Sequence, residues 1–353
     1  MSRLLLVVPE LLWPAPQTHC PTQDMPLAAL ARLLGSGRRR REAPEAAERL
    51  LARLFGMEKE GEPPLAALRR LGEGDGEGDP AAHWLCADPV HLSMTQKYLL
   101  LGDFAEGEVD AATAGALIDA LNADFAGLGR FYAATPTRWY LRLERPPAVR
   151  FAPLAEVAGR PIQDFLPAGD DGEARRWLHV LNEIQVALHN QPLNEAREAA
   201  GQRPINGLWF WGGSARAAPM TALRSPRPVV QALDPLARGL ARAAGIEPGV
   251  PDVETALRGP TLVVLDALAV PARRLDLAAW RKALAALESD WFAPIAGALA
   301  LGRLRRFDLF APGERAAFSL TSRPGSRWCF WRRPLALDAL AAAFSGAFAR
   351  QGR

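Results

Sequence analysis

Residues 177–213 read W-L-H-V-L-N-E-I-Q-V-A-L-H-N-Q-P-L-N-E-A-R-E-A-A-G-Q-R-P-I-N-G-L-W-F-W-G-G and carry the most informative pattern of the chain. Apolar residues at the 3 and 4 spacing predict an amphipathic helix over residues 177–189. A second, short helix is expected between Asn194, as its N-cap, and Gly201. Residues 205–211 are predicted to be a buried strand that a glycine turn follows. This order of elements is typical of α/β proteins, in which ligands usually bind beyond the carboxyl end of a strand.

The composition of the chain is that of a folded globular protein. Its 353 residues are 49% apolar and 23% charged, enough for a sizeable core and consistent with two domains. The 42 basic and 39 acidic residues give a formal net charge of +3, which is too balanced to indicate nucleic acid as a partner. Cys20, Cys86 and Cys329 are widely spaced and favour a reducing compartment. No apolar run reaches about 18 residues, so we expect a cytoplasmic protein without a membrane partner.

Two short apolar runs, residues 4–8 and 261–266, are predicted to be buried strands. Further strands are expected at residues 304–310 and 316–320. Helices are predicted at residues 229–244, 275–287 and 335–350. Because the buried strands alternate with helices, we expect an α/β fold, a mostly parallel sheet with helices on both faces.

Three charged runs interrupt this pattern. Residues 38–41 are four arginines that could contact a phosphate or an acidic partner, but the flanking Gly37 and Pro44 favour a solvated linker. Residues 72–80 are acidic and glycine-rich, which predicts a flexible linker and a domain boundary. Residues 327–333 interleave cations with aromatic residues as single-strand nucleic-acid binders do. We favour a sheet-edge strand there, with its aromatic side chains turned inward.

The middle of the chain is predicted to form a small α+β module with the order β-α-β-β. Its elements are a strand at 83–92, a helix at 110–125 and a hairpin of strands at 129–134 and 138–143. We therefore expect an α/β core of residues 1–80 and 150–353, with an inserted module of residues 81–149.

Eight polar residues in and around the opening stretch could form one ligand site between the module and the core. They are Asp88, His91, Asn182, Gln185, His189, Asn194, Arg197 and Asn206. Arg197 could bind an anion through bidentate hydrogen bonds, and the two histidines could transfer protons. The alternative is structural, with Asn194 as a helix cap, Arg197 in a helix salt bridge and the histidines hydrogen-bonded between domains.

Residues 192–213 resemble the segment of archaeal-type cofactor-independent phosphoglycerate mutases that precedes the second half of their catalytic domain. The chain is still more similar to the bacterial regulatory proteins of the RpfE type, which are often grouped with those mutases. This resemblance covers residues 83–300 and implies an alkaline-phosphatase-like core with an inserted α+β module. In the mutases, Asp and His side chains hold two divalent metals, and a serine or threonine takes the phosphoryl group.

The residues that would hold the metals differ in this chain. His189 is the last histidine, although the resemblance implies several histidine ligands beyond it. Ala269 and Arg273 stand at two places where the family supplies an Asp and a His ligand. Glu10 follows the first strand in place of a metal-binding Asp and is expected to be a solvated loop acid. Glu288 matches a glutamate of the family's pattern.

We therefore expect a non-catalytic regulatory or ligand-binding protein on a degenerate phosphomutase scaffold, without a cofactor. Its partner would be a small anionic ligand or another protein, and nucleic acid is not expected. The alternative is an active phosphomutase or phosphohydrolase that acts on a small phosphorylated acid and uses manganese or zinc.

Overall fold

The computed structural model describes residues 2–15, 20–57, 62–76, 78–79, 82–214, 223–324 and 333–351, with only the backbone beyond residue 344. The chain divides into two compact units. Unit 1 comprises Met1–Phe55 and Arg224–Arg353, and unit 2 comprises Gly56–Leu223. Unit 2 includes more of the chain than the predicted module of residues 81–149, because the helices and the strand that follow the module pack on its sheet.

The strands and helices have the following bounds. The strands are β1 (Arg3–Val7), β2 (Arg38–Glu42), β3 (His83–Met94), β4 (Leu99–Asp103), β5 (Arg130–Thr135), β6 (Arg138–Leu143), β7 (Val149–Arg150), β8 (Ala168–Gly169), β9 (Gly207–Trp211), β10 (Val229–Ala232), β11 (Thr261–Val264), β12 (Arg306–Ala311) and β13 (Ala317–Ser322). The helices are α1 (Ala28–Ser36), α2 (Ala47–Leu54), α3 (Leu65–Glu73), α4 (Ala111–Asp124), α5 (Leu154–Val157), α6 (Asp171–His189), α7 (Pro192–Ala199), α8 (Pro235–Ala243), α9 (Val253–Arg258), α10 (Ala269–Arg273), α11 (Leu277–Leu287), α12 (Ala293–Ala300) and α13 (Leu337–Gln351). None of these helices is both long and apolar enough to cross a membrane.

Unit 1 is built on a mixed sheet with the strand order β10-β11-β1-β12-β13-β2. The first four strands in this order are parallel, whereas β13 and β2 are antiparallel to their neighbours. Leu4, Leu6 and Val7 in the central strand β1 are inaccessible to solvent, as expected where both faces of a parallel sheet are covered. The predicted α/β fold, with its mostly parallel sheet, is confirmed.

The helix predicted at residues 229–244 is wrong in its first part. Val229–Ala232 is strand β10, which pairs in parallel with β11. The helix begins only after Asp234, whose side chain accepts a hydrogen bond from the backbone N–H of Ala237 at 2.7 Å. Pro235 occupies the first helical position, where its missing N–H is no loss.

Strands β12 and β13 turn alternate side chains to opposite faces of the sheet. The side chains on one face belong to the hydrophobic core of unit 1 and are Phe307, Leu309, Phe318 and Leu320. Helices α1 and α12 contact these strands. The core therefore covers one face of this half of the sheet.

Residues 38–41 were expected to be a solvated linker, and this expectation is wrong. They form most of strand β2, which pairs antiparallel with β13, with Arg39 opposite Leu320. β2 stands at the end of the described strand order, so it is an edge strand of the sheet. Charged side chains are common on edge strands because they oppose pairing with other chains.

Unit 2 contains a second sheet with the order β4-β3-β6-β5, and β9 also pairs with β3. β9 was expected in the main core, but it runs antiparallel to β3, with Trp209 opposite Asp88. The predicted helix at 110–125 and the hairpin that follows it are present as α4, β5 and β6. Strand β4 is an addition to the predicted β-α-β-β order.

The predicted linker at residues 72–80 overlaps helix α3, which continues to Glu73. Gly74 ends this helix in the left-handed conformation, at φ 79°, which glycine adopts without strain. Just beyond it, the carboxylate of Asp75 accepts from Arg70 Nη1 at 2.6 Å. The first half of the predicted linker is therefore fixed to α3.

Candidate functional site at the carboxyl edge of the parallel strands

The carboxyl ends of the parallel strands meet at one edge of the sheet in unit 1. Glu10 lies three residues beyond β1, and Asp266 lies two residues beyond β11. The short helix α10, which ends at Arg273, follows Asp266. In open α/β sheets ligands bind at this edge, so Glu10 lies where a ligand site is expected.

The backbone of Glu10 is held in an unusual conformation. Its φ is 55°, a left-handed value that costs a residue other than glycine on the order of 1 kcal/mol. Its N–H donates to the carbonyl of Pro312 at 2.9 Å, and its own carbonyl accepts from Trp280 Nε1 at 3.0 Å. These two hydrogen bonds fix the direction in which the side chain leaves the chain.

The side chain of Glu10 is not the solvated loop acid that the sequence suggested. Burial raises its pKa to about 7, and the negative charges of Glu314 and Glu48 act in the same direction. A hydrogen bond from the backbone N–H of Glu314 at 3.2 Å and the positive charge of Arg273 oppose this rise. Glu10 therefore changes its charge near neutral pH.

The described residues at this edge do not fit a two-metal centre. The side chain of Ala269 has no atom that could coordinate a metal. The guanidinium of Arg273 donates hydrogen bonds and has no lone pair to offer a metal. Within the described parts of the chain, no three His, Cys, Asp or Glu side chains are grouped so that they could hold a metal ion. Glu288, which matches the family's pattern, instead accepts from the N–H of Leu30 at 3.0 Å, in the first turn of α1.

Asp88, the first of the predicted site residues, lies inside unit 2 and is 1% exposed. Arg69 Nη1 donates to both of its carboxylate oxygens, at 3.0 and 2.8 Å. Trp211 Nε1 donates to Oδ2 at 2.9 Å, and the backbone N–H of Trp139 donates to Oδ1 at 3.3 Å. Both oxygens of Asp88 are therefore occupied by groups of the protein.

The partners of Asp88 belong to an ion network centred on α3 that the sequence analysis did not single out. Arg69 lies over the ring of Tyr140, with 5.3 Å between the guanidinium carbon and the ring centroid. Burial lowers the pKa of Arg69, but the charge of Asp88 outweighs it and holds the pKa above its usual value. Glu73 accepts from Arg138 Nε at 2.9 Å and from the Tyr140 hydroxyl at 2.6 Å. The only signal in the sequence was Arg69 and Glu73 at helical spacing among apolar residues.

Asn194 is buried, but it is not the predicted N-cap. Its Nδ2 donates to the carbonyls of Leu188 and Ile205 at 2.7 and 2.8 Å, and its Oδ1 accepts from the N–H of Ile205 at 2.8 Å. Gln191 is the residue before α7, and Pro192 occupies the first position, where proline is favoured. Asn194 thus ties the end of α6 to the segment that enters β9.

The donors of Arg197 are directed at backbone carbonyls. Its Nε donates to the carbonyl of Arg203 and its Nη2 to the carbonyl of Glu108, both at 3.0 Å. Arg197 is a buried residue, 6% exposed to solvent, and burial lowers the pKa of its guanidinium. In place of the helix salt bridge considered for Arg197, these two contacts tie α7 to the loop before β9 and to the segment between β4 and α4.

His91 and Asn206 lie beside the same loop. His91 Nδ1 is 3.0 Å from the carbonyl of Pro204. Asn206 accepts from the N–H of Leu92 at 2.7 Å and donates to the carbonyl of Leu92 at 2.9 Å. The structure therefore gathers His91, Asn194, Arg197 and Asn206 around one loop, where each contacts the backbone.

Asn182, Gln185 and His189 are placed differently. They lie on α6, where Asn182 and His189 are exposed and Gln185 is partly buried. None of these three side chains forms a hydrogen bond within the described residues, so no hydrogen bond links them to Asp88. The ligand site predicted at the eight residues stays a prediction. The predicted strand at 327–333 lies outside the described residues, apart from Arg333.

Part of the chain is similar in sequence to curated phosphoglycerate mutases. A 2,3-bisphosphoglycerate-independent phosphoglycerate mutase 2 of Methanothermobacter thermautotrophicus is 32% identical over 149 residues, which are 41% of this chain and 37% of that protein. A probable 2,3-bisphosphoglycerate-independent phosphoglycerate mutase of Geobacter sulfurreducens is 26% identical over 190 residues, 51% of this chain and 47% of that protein. The chain thus spans less than half of the length of these curated relatives. No family model matches it.

A solved structure supports the same architecture. The PH0037 protein from Pyrococcus horikoshii matches with a TM-score of 0.55 at 12% identity, over 96% of this chain and 92% of that one. At this identity the match shows the fold alone. The chain therefore has a phosphoglycerate-mutase-like scaffold, with homologues at low identity among the cofactor-independent phosphoglycerate mutases.

Proposed function

We propose that the chain is a non-catalytic regulatory or ligand-binding protein of the RpfE type on a phosphoglycerate-mutase-like scaffold. The observation that carries this proposal is the environment of Glu10. At the edge where the resemblance implies metal ligands, Glu10 is half-buried and the positive charge next to it comes from Arg273. A protein guanidinium there supplies charge but offers no open coordination position for a phosphoryl oxygen.

The unpaired cysteines agree with a protein of the cytoplasm. Cys20 and Cys86 are both free thiols, and burial raises the pKa of Cys86 to about 12. A thiol with such a pKa is unreactive at neutral pH. The form of the proposal that we favour is a cytoplasmic regulator that binds a small anion or another protein.

The alternative function is a metal-dependent phosphomutase or phosphohydrolase that acts on a small phosphorylated acid. One observation favours it: Glu48 Oε2 is shielded from solvent and has no hydrogen-bond partner within the described residues, and Glu48 acts on Glu10 electrostatically. Such an oxygen would suit a cation or a proton. Manganese or zinc would then be the metal to test.

A turnover assay separates the two functions. The purified chain, supplied with excess manganese or zinc, is expected not to interconvert 2- and 3-phosphoglycerate above background. The control is the same assay with added chelator, together with metal analysis of the purified protein. Turnover that a chelator abolishes and that Glu10→Ala reduces would establish the alternative.

A further inference from the structure

The face of the main sheet that turns away from the core of unit 1 carries arginines. In register across β2, β13 and β12, Arg38 stands beside Thr321 and Arg40 beside Ser319, and Phe310 is the neighbour of Ser319 on β12. Because side chains alternate along a strand, these residues share one face. The core residues of β12 and β13 occupy the other face.

This face forms an open groove of about 860 Å³, which we call the arginine groove. The charged residues that line it are Arg38, Arg40, Glu42, Arg53, Arg306 and Arg323. Five cations and one acid therefore surround it, although the whole chain carries a formal net charge of only +3. The positive charge is concentrated here by the strand register.

Some of this charge is already compensated. Arg306 Nε donates to Asp308 at 2.7 Å, and Arg53 Nη2 pairs with Glu45 at 2.7 Å. Arg40 Nε is 3.7 Å from Glu42, and its side chain is 80% exposed, so this contact contributes little. Arg38 is exposed and forms no ion pair within the described residues. Arg38 and Arg40 are therefore two cations of the groove that a ligand could reach.

We propose that the arginine groove binds a small molecule that carries two or more phosphate groups, with Arg38 and Arg40 as its main contacts. Two side chains that are two residues apart on one strand face are about 6.6 Å apart along it, a separation that lets them contact different phosphate groups of one ligand. Guanidinium groups match phosphate oxygens through paired hydrogen bonds. This proposal does not depend on whether the chain is catalytic.

The shape of the groove favours a small phosphorylated molecule over a polymer. Its volume lies within the range of roughly 300–1,000 Å³ that small-molecule sites occupy. Phe310 is the only aromatic residue of its described lining, whereas single-strand nucleic-acid binders stack successive bases on several aromatic rings.

The test uses the full chain with tripolyphosphate and ATP as probes, and binding is measured by calorimetry at low and moderate salt. We expect R38Q/R40Q to weaken binding of both probes by at least about tenfold, since charge-assisted hydrogen bonds are lost. R38K/R40K keeps the charge but not the paired geometry and should fall between that variant and the wild type. R130Q/R258Q removes two exposed arginines outside the groove and should bind like the wild type. Circular dichroism spectra and melting curves confirm that each variant is folded.

Several outcomes would overturn the proposal. One is that neither probe binds at millimolar concentration. Another is that R38Q/R40Q binds no more weakly than R130Q/R258Q, which would indicate diffuse charge attraction. A third is that a single-stranded oligonucleotide or a polyglutamate peptide binds at least about tenfold more tightly than both probes, with the same sensitivity to R38Q/R40Q. The groove would then serve a polymer instead.

Discussion

Two pairs of neighbouring arginines in this chain have opposite surroundings. Arg69 and Arg70 on α3 of unit 2 are buried, and carboxylates and aromatic rings surround their guanidinium groups. Arg38 and Arg40 on β2 of unit 1 lie on an exposed edge strand with little compensating charge. The comparison teaches that the residue type alone does not indicate a site. An arginine whose charge is paired with a carboxylate inside the fold is structural, and one whose charge faces solvent is available to a ligand.

The largest effect is expected when the buried network is broken. Arg69→Met should lower the free energy of unfolding by about 3–5 kcal/mol, because it leaves the carboxylate of Asp88 buried without its charged partner. Equilibrium denaturation in urea, followed by tryptophan fluorescence, measures this change.

The double variant R69M/D88N serves as the control for this first prediction. Replacing both charges removes the uncompensated carboxylate, so the double variant should recover part of the lost stability. If R69M and R69M/D88N are equally unstable, or if R69M is as stable as the wild type, the network does not hold unit 2 together as described.

A smaller, pH-dependent effect is expected at Glu10. Because its pKa is raised from 4.5 to about 7, the folded state binds more protons than the unfolded state between these values. Its contribution to stability is therefore present below pH 4.5 and is lost as the pH rises through 7. Near pH 4.5 the free energy of unfolding of Glu10→Gln should be similar to that of the wild type. At pH 8 the variant should be more stable, by up to about 3 kcal/mol.

Denaturation curves of both proteins between pH 4.5 and pH 8 measure this difference. Glu144→Gln, at an exposed glutamate of unit 2, is the matched control and should show no such trend. A difference between Glu10→Gln and the wild type that stays constant with pH would mean that folding does not raise the pKa of Glu10.

Local patterns in the sequence were enough to predict the framework of the fold. The apolar strands β1 and β11, the amphipathic helix α6 and the hairpin of β5 and β6 follow from local patterns alone. Burial on both faces gives a continuous apolar run, and burial on one face gives a periodic pattern of apolar residues. The run of arginines at β2 misled the prediction, since its pairing depends on the distant strand β13. The valines of β10 were predicted to be part of the following helix, because a strand of four residues shows little periodicity.

The candidate sites were harder to predict because polar residues give no signal for their partners. Asn194 and Arg197 were recognised as unusual, but their contacts with backbone carbonyls depend on how the loop before β9 folds. The partner of Asp88 is 19 residues away along the chain, on α3. Glu10 was recognised through the resemblance, yet its raised pKa follows from burial, which the sequence does not show.

The smallest effect on stability is expected at the arginine groove, where R38Q/R40Q should change the free energy of unfolding by no more than about 0.5 kcal/mol. The side chains of Arg38 and Arg40 are exposed, and the Arg40 contact with Glu42 is weak at 3.7 Å. Glutamine keeps the backbone hydrogen bonds through which β2 pairs with β13. Urea denaturation without any phosphate measures this change directly. A loss similar to that of R69M would place Arg38 and Arg40 with the structural arginines. Unchanged stability together with weaker tripolyphosphate binding would separate the two pairs as binding and structural residues.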